Sequence, residues 1–122
     1  MSRIIVIAQR KGGAGKTTLA CQLTSALLKT GASVVGVDAD EQQSFTQWGA
    51  RRAQRLGDEP AFLGVAPERF GWTTAHHHAS NAPDFIVVDT PPRVDGAVRR
   101  ALRAADLVLT PMQLSPIDLE AS

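Results

Sequence analysis

Cysteine, tyrosine and long apolar runs are what this sequence has least of. The 122-residue chain carries one cysteine, Cys21, which excludes an internal disulfide framework and fits a reducing compartment. Its first residues, Met1 to Ala8, hold only a short apolar run, closed by Gln9-Arg10-Lys11. That run is too short to span a bilayer, and no small-residue cleavage site follows a long apolar region. The expectation is a cytoplasmic protein with no evident membrane contact. The formal charge is only +1, so charge balance points neither to a nucleic-acid-coating surface nor to a membrane-hugging one. No internal repeat and no low-complexity linker interrupts the chain. Apolar residues at 43% and charged residues at 20% are ordinary for a globular domain, and the length suits one core.

The apolar residues that are present fall into alternating patterns. Ile4 to Ala8 is a β-branched run ending in a polar, glycine-rich turn, as in a strand buried on both faces. From Lys16 the spacing becomes helical, with Leu19, Leu23, Ala26 and Leu27 on one face and Gly31 as the stop. Ser33 to Val37 reads as a second strand ending at Asp38. A helix follows over 44–56, with Ser44 as N-cap and a basic outer face of Arg51, Arg52 and Arg55. Ala61 to Val65 suggests a third strand, and 67–82 a short helix and a loop. Phe85 to Val88 is the strongest strand signal; Asp95 to Ala105 is helical, and Leu107 to Leu109 makes a fifth strand. Such alternation predicts an α/β fold: a mostly parallel sheet flanked by helices, a partial doubly wound domain over 1–122. Ser115, Pro116, Asp118 and Glu120 are helix-start chemistry with no helix body after them. The expectation is therefore the N-terminal part of a longer domain.

The most specific segment joins the first strand to the first helix: Lys11-Gly12-Gly13-Ala14-Gly15-Lys16-Thr17-Thr18. Glycines permit positive φ and let successive N–H groups turn inward as an anion-binding nest. A helix starting near Lys16 adds its N-terminal partial charge. Lys16 would reach the β- and γ-phosphates of ATP, and the Thr17 hydroxyl would ligate Mg²⁺. The usual first glycine of a phosphate loop is replaced by Arg10. Even so, six specified residues at fixed spacing arise by chance on the order of 10⁻⁷ per start position from average usage. Two carboxylate segments accompany the loop. Asp38 and Asp40 end the second strand, at the rim where parallel sheets bind ligands. If strand geometry persists they point to one side, one holding Mg²⁺ through water and the other orienting the attacking water. An acidic turn capping the next helix is an equally good reading of that pair taken alone. Asp89, after four apolar residues, is the candidate for a second metal-binding carboxylate.

With these motifs the chain resembles the ParA/MinD superfamily of ATPases, whose deviant Walker A loop carries the extra lysine found here as Lys11. The resemblance implies that Lys11 reaches across an ATP-sandwich homodimer to the partner's phosphates. Asp38-Ala39-Asp40-Glu41-Gln42-Gln43-Ser44 resembles the family's first switch, except that Glu41 stands where proline is usual. Trp48 is placed as in small plasmid partition ATPases. Asp89-Thr90-Pro91-Pro92 resembles the second switch, and Pro111-x-Gln113-x-Ser115-Pro116-x-Asp118 a later family segment. For a ParA-type member the family implies slow ATP hydrolysis driving plasmid or chromosome segregation. It also implies an adaptor or centromere-binding partner and nonspecific DNA binding in the complete protein, hence a nucleoid-associated location. Catalytic roles then fall to Lys11, Lys16 and Asp40, nucleotide contacts to residues 11–18, and metal ligation to Thr17, Asp38 and Asp89.

Other readings stand beside this one. An iron–sulfur carrier on the same fold needs paired cysteines, which Cys21 alone does not provide. A MinD-like membrane-site regulator needs an amphipathic C-terminal helix, and Gln42-Gln43-Ser44 with Trp48 favours partition. A bacterial tyrosine kinase shares the loop, but no tyrosine is present. An inactive truncated remnant remains an alternative. His76-His77-His78 reads as a polar loop, since adjacent histidines cannot all face one ion on a regular element. Cys21 reads as a small buried hydrophobe, and Arg99, Arg100 and Arg103 as a solvated helix face.

Overall fold

The computed structural model describes residues 2–8, 14–56, 61–64, 83–92 and 95–111. In chain order the elements are β1 (Arg3–Ile7), α1 (Ala14–Lys29), β2 (Val34–Asp38), α2 (Ser44–Leu56), β3 (Ala61–Gly64), β4 (Phe85–Asp89), α3 (Gly96–Ala104) and β5 (Leu107–Leu109). All five strands are parallel in one sheet of order β3-β2-β4-β1-β5. The α/β expectation holds, and the strand and helix boundaries expected from sequence shift by a residue or two at most. The short helix and loop expected over 67–82 and the helix expected from Pro116 lie outside the described residues.

Alternation along the strands explains the layering. Ile4, Val6, Val37, Ile86 and Val88 pack on one face with Ala101 of α3. Ile5, Ile7, Val34 and Val87 pack on the other with Ala20 of α1 and Phe45 of α2. Period two then sends Asp38, in phase with Val34, and Asp89, in phase with Val87, to the face that α1 and α2 cover. The register aligns Ile7, Asp89 and Asp38 in one row at the C-terminal ends of β1, β4 and β2. Leu107 and Val108 of the edge strand β5 are half exposed.

Local chemistry sets the helix ends. Helix α1 closes through Thr30 N–H to Leu27 O and Gly31 N–H to Leu28 O, and Gly31 takes φ 88°, as a left-handed stop requires. Asp95 caps α3, accepting from the Val98 N–H at 3.0 Å, worth about 1 kcal/mol. The N-cap expected at Ser44 is corrected. Ser44 is already the first helical residue, and Gln43, at φ 56°, supplies the carbonyl that accepts the Gln47 N–H. The free donor of that first turn, Thr46 N–H, goes to the distant Asp38 carboxylate at 2.8 Å. The basic outer face of α2 is corrected too. Arg51 and Arg55 are exposed, but Arg52 is buried. Its guanidinium lies 5.9 Å from the Trp48 ring centroid and reaches Ser25 Oγ of α1 at 3.4 Å, because a cation over an indole face between two helices replaces lost hydration.

Candidate functional site

Lys16 and Thr17 stand on the first turn of α1, and Lys16 is buried to 2% exposure. A lysine is buried only with partners. Its ammonium bonds to Asp89 Oδ1 and to Asp40 Oδ2, the latter at 3.2 Å. The Thr17 hydroxyl donates to the other Asp89 oxygen at 3.2 Å. The end of β4 is tied to the exit of β1 by Thr90, whose hydroxyl donates to Ile7 O at 2.8 Å. Three elements thus place one ammonium, one hydroxyl and two carboxylates together at the C-terminal rim of the sheet. Burial pushes the Asp89 carboxyl above its ordinary range and the nearby Asp38 charge adds to this, while Lys16 and Thr17 pull it down.

Asp38 and Asp40 do not face the same way as strand geometry would have them, since β2 ends at Asp38. Asp40 turns to Lys16 and accepts from Gln42 N–H at 2.9 Å. Asp38, fully buried, accepts from Thr46 N–H and from the Thr46 hydroxyl at 2.9 Å through one oxygen. Its other oxygen accepts from Asp40 N–H at 3.2 Å. The Gln43 side-chain amide donates to Asp40 O at 2.8 Å and to Asp38 O at 3.3 Å. Hydrogen bonds hold this turn around Glu41.

Lys11, Gly12 and Gly13 lie outside the described residues; Ala14 and Gly15 open α1, and Thr18 is exposed on it. Sequence reasoning missed Thr46 and gave Gln43 and Pro111 no role beyond the segments they belong to. Thr46 and the Gln43 side chain act through folding of the turn. Pro111, which follows β5, stands 3.7 Å from where a Gly15 Cβ would lie. Among the described residues no group of three or more His, Cys, Asp or Glu side chains forms a metal cage. Cys21, half-buried against the α1 face of the core, has its thiol pushed up to about 12, by desolvation first and then by the charge of Asp89. A separate cleft lined by Arg3, Thr30, Gly31, Ala32, Asp84 and Phe85 lies at the opposite, N-terminal ends of the strands.

A central parallel strand leading into a helix that starts with a buried lysine, facing carboxylates from two other strand ends, defines a nucleotide-binding α/β domain of the phosphate-loop class. The chain matches the CobQ/CobB/MinD/ParA nucleotide binding domain over residues 5–119, and it belongs to that family. It is 35% identical to the maintenance of carboxysome distribution protein A of Gloeobacter kilaueensis, over 96% of this chain and 52% of that protein. It is 33% identical to protein ParA of Rhizobium radiobacter, over 94% of this chain and 50% of that protein. The fold superposes on a plasmid partition protein of Borrelia burgdorferi with TM-score 0.70 and 25% identity, covering 98% of this chain and 70% of that one. The chain spans about half the length of these curated relatives. Among the described residues no helix is long and apolar enough to cross a membrane.

Proposed function

We propose that this chain is the nucleotide-binding part of a ParA-type partition ATPase that segregates a plasmid or chromosome, cycling between monomer and ATP-sandwich homodimer. The observation that carries the reading is Lys16 and Thr17, on the first turn of the helix after β1, meeting Asp89 and Asp40. On this reading the backbone of residues 11–18 wraps the phosphates of ATP, and the Lys16 ammonium exchanges its carboxylate partners for phosphate oxygens. Asp40 then becomes free to orient the attacking water, a role that matters more in the transition state than in the ground state.

The donor set fits Mg²⁺. Thr17 and Asp89 offer hard oxygen donors side by side, and magnesium is ordinarily held by one or two carboxylates plus phosphate rather than by a closed protein cage. Asp38 is the third candidate ligand. Bound there, the ion would supply neutralisation of the phosphate charge. The need is physical: Asp38, Asp40 and Asp89 present three carboxylates near the Lys16 ammonium, and a bare triphosphate would be repelled.

Lys11 belongs, by family resemblance, to the partner's phosphates. Two symmetric charge-assisted bonds of about 1.5–3 kcal/mol each would shift dimerisation by roughly two to four orders of magnitude. The complete protein would bind an adaptor and nonspecific DNA and reside in the cytoplasm on the nucleoid. The test is light scattering of the complete protein with a nonhydrolysable ATP analogue. Lys11→Ala is expected to bind nucleotide and stay monomeric; a variant that dimerises as tightly as the parent removes the cross-subunit role.

A further inference from the structure

Asp38 and Thr46 are joined by contacts that the phosphate site itself does not require. Asp38 is fully buried at the end of β2, and three donors converge on it. Two come from Thr46 on the first turn of α2, whose N-terminal partial positive charge also favours an anion there. The third is the N–H of Asp40, the residue whose carboxylate holds Lys16. Between them Gln43 takes φ 56°, a left-handed conformation uncommon for a residue with a side chain. Its amide bridges Asp38 O and Asp40 O, and its carbonyl accepts the first bond of α2. The turn from 38 to 46 is therefore one hydrogen-bonded unit with the Asp38 carboxylate at its centre.

We propose that Asp38 is a positioning residue: its carboxylate clamps the start of α2 to the turn that presents Asp40, and it acts on the site through Asp40 rather than as a metal ligand. The inference rests on the ATPase reading above for its catalytic consequence, while the clamp itself stands on hydrogen bonds within the chain. Three of the about four acceptor positions of the carboxylate already serve these donors, so turning it toward an ion would disturb them. Buried donors left without acceptors are costly. The clamp also links the site to α2, which carries Trp48 stacked on Phe45 with ring centroids 6.1 Å apart, so Trp48 reports on it.

The experiment compares the parent with Asp38→Asn, Thr46→Val and Thr46→Ser in a Trp72→Phe background, which leaves Trp48 as the single tryptophan. Without nucleotide, Asp38→Asn and Thr46→Val should shift Trp48 emission and speed amide exchange at Thr46. Thr46→Ser, which keeps the hydroxyl, should match the parent. With Mg·ATP, both clamp variants should lose kcat by about 10–100-fold, the scale of a small misplacement of a reacting group. Nucleotide affinity and the Mg²⁺ concentration for half-saturation should stay at parental values. Asp38→Asn raising the Mg²⁺ requirement while Thr46→Val behaves as the parent would make Asp38 a ligand and overturn the proposal. Unchanged Thr46 exchange in both variants would overturn it as well. If Asp38→Asn does not fold, Thr46→Val decides alone. A parent that binds no nucleotide would end the ATPase reading, and the exchange and fluorescence data would still decide the clamp.

Discussion

Replacing Lys16 by methionine keeps the length of the side chain and removes its charge, leaving Asp89 at 0% exposure without its cation. The gross attraction of Lys16 to Asp40 alone, at 3.2 Å, is about 5 kcal/mol with an effective dielectric near 20. The pairing with Asp89 is closer and drier. Desolvation cancels much of this in the intact pair, but removing one partner of a buried pair typically costs about 3–5 kcal/mol. Against a total stability of roughly 5–15 kcal/mol for a domain of this kind, Lys16→Met is expected to be severely destabilised. Asp40 retains some access to water, so most of the loss belongs to Asp89. Without Lys16, burial raises the Asp89 carboxyl further above its unfolded value. A raised folded pKa means stability present at low pH and lost as pH rises through it. The deficit of the variant relative to the parent should therefore be largest at neutral pH and narrow on acidification. Adding Asp89→Asn removes the stranded charge, so the double variant should be more stable than Lys16→Met. Urea unfolding followed by circular dichroism at neutral and mildly acid pH measures all of this. A loss below about 1 kcal/mol, or a double variant no more stable than the single, would refute the buried ion pair as described.

The thiol of Cys21 should react slowly with iodoacetamide between neutral pH and its folded pKa of about 12, and much faster once urea unfolds the chain. As its folded value is raised, its contribution to stability is lost as pH climbs from the ordinary thiol value toward 12. Fast alkylation of the native protein near neutral pH would contradict the burial. Ser44→Ala should change stability by less than about 0.5 kcal/mol, where a true N-cap serine would cost about 1 kcal/mol; urea titration separates the two.

Much of the site was legible because its parts are local. The run from Phe85 to Val88 announces β4 and places Asp89 at its end, and the loop before Thr17 announces the start of α1. The layered α/β fold follows from alternation, but the order β3-β2-β4-β1-β5 does not, since parallel neighbours are chosen by packing between distant segments. The misreadings share that cause. Ser44 looked like a cap because the residue that takes the Thr46 N–H is Asp38, brought there only when β2 ends in the turn. Arg52 looked exposed because helical spacing cannot show that Trp48 and α1 cover it. Of the two readings of the aspartates, the strand pair fails because the chain leaves strand geometry between them, and the acidic turn capping the next helix holds for Asp38, which takes the Thr46 N–H.

The measurement that bears most directly on the account is calorimetric titration of the chain with ATP, with and without Mg²⁺, beside the Lys16→Met/Asp89→Asn variant as a folded control. One ATP per chain is expected in the parent, with binding weakened strongly when magnesium is withheld, and none in the variant. Equal affinity in parent and variant would contradict it, as would parental binding indifferent to magnesium.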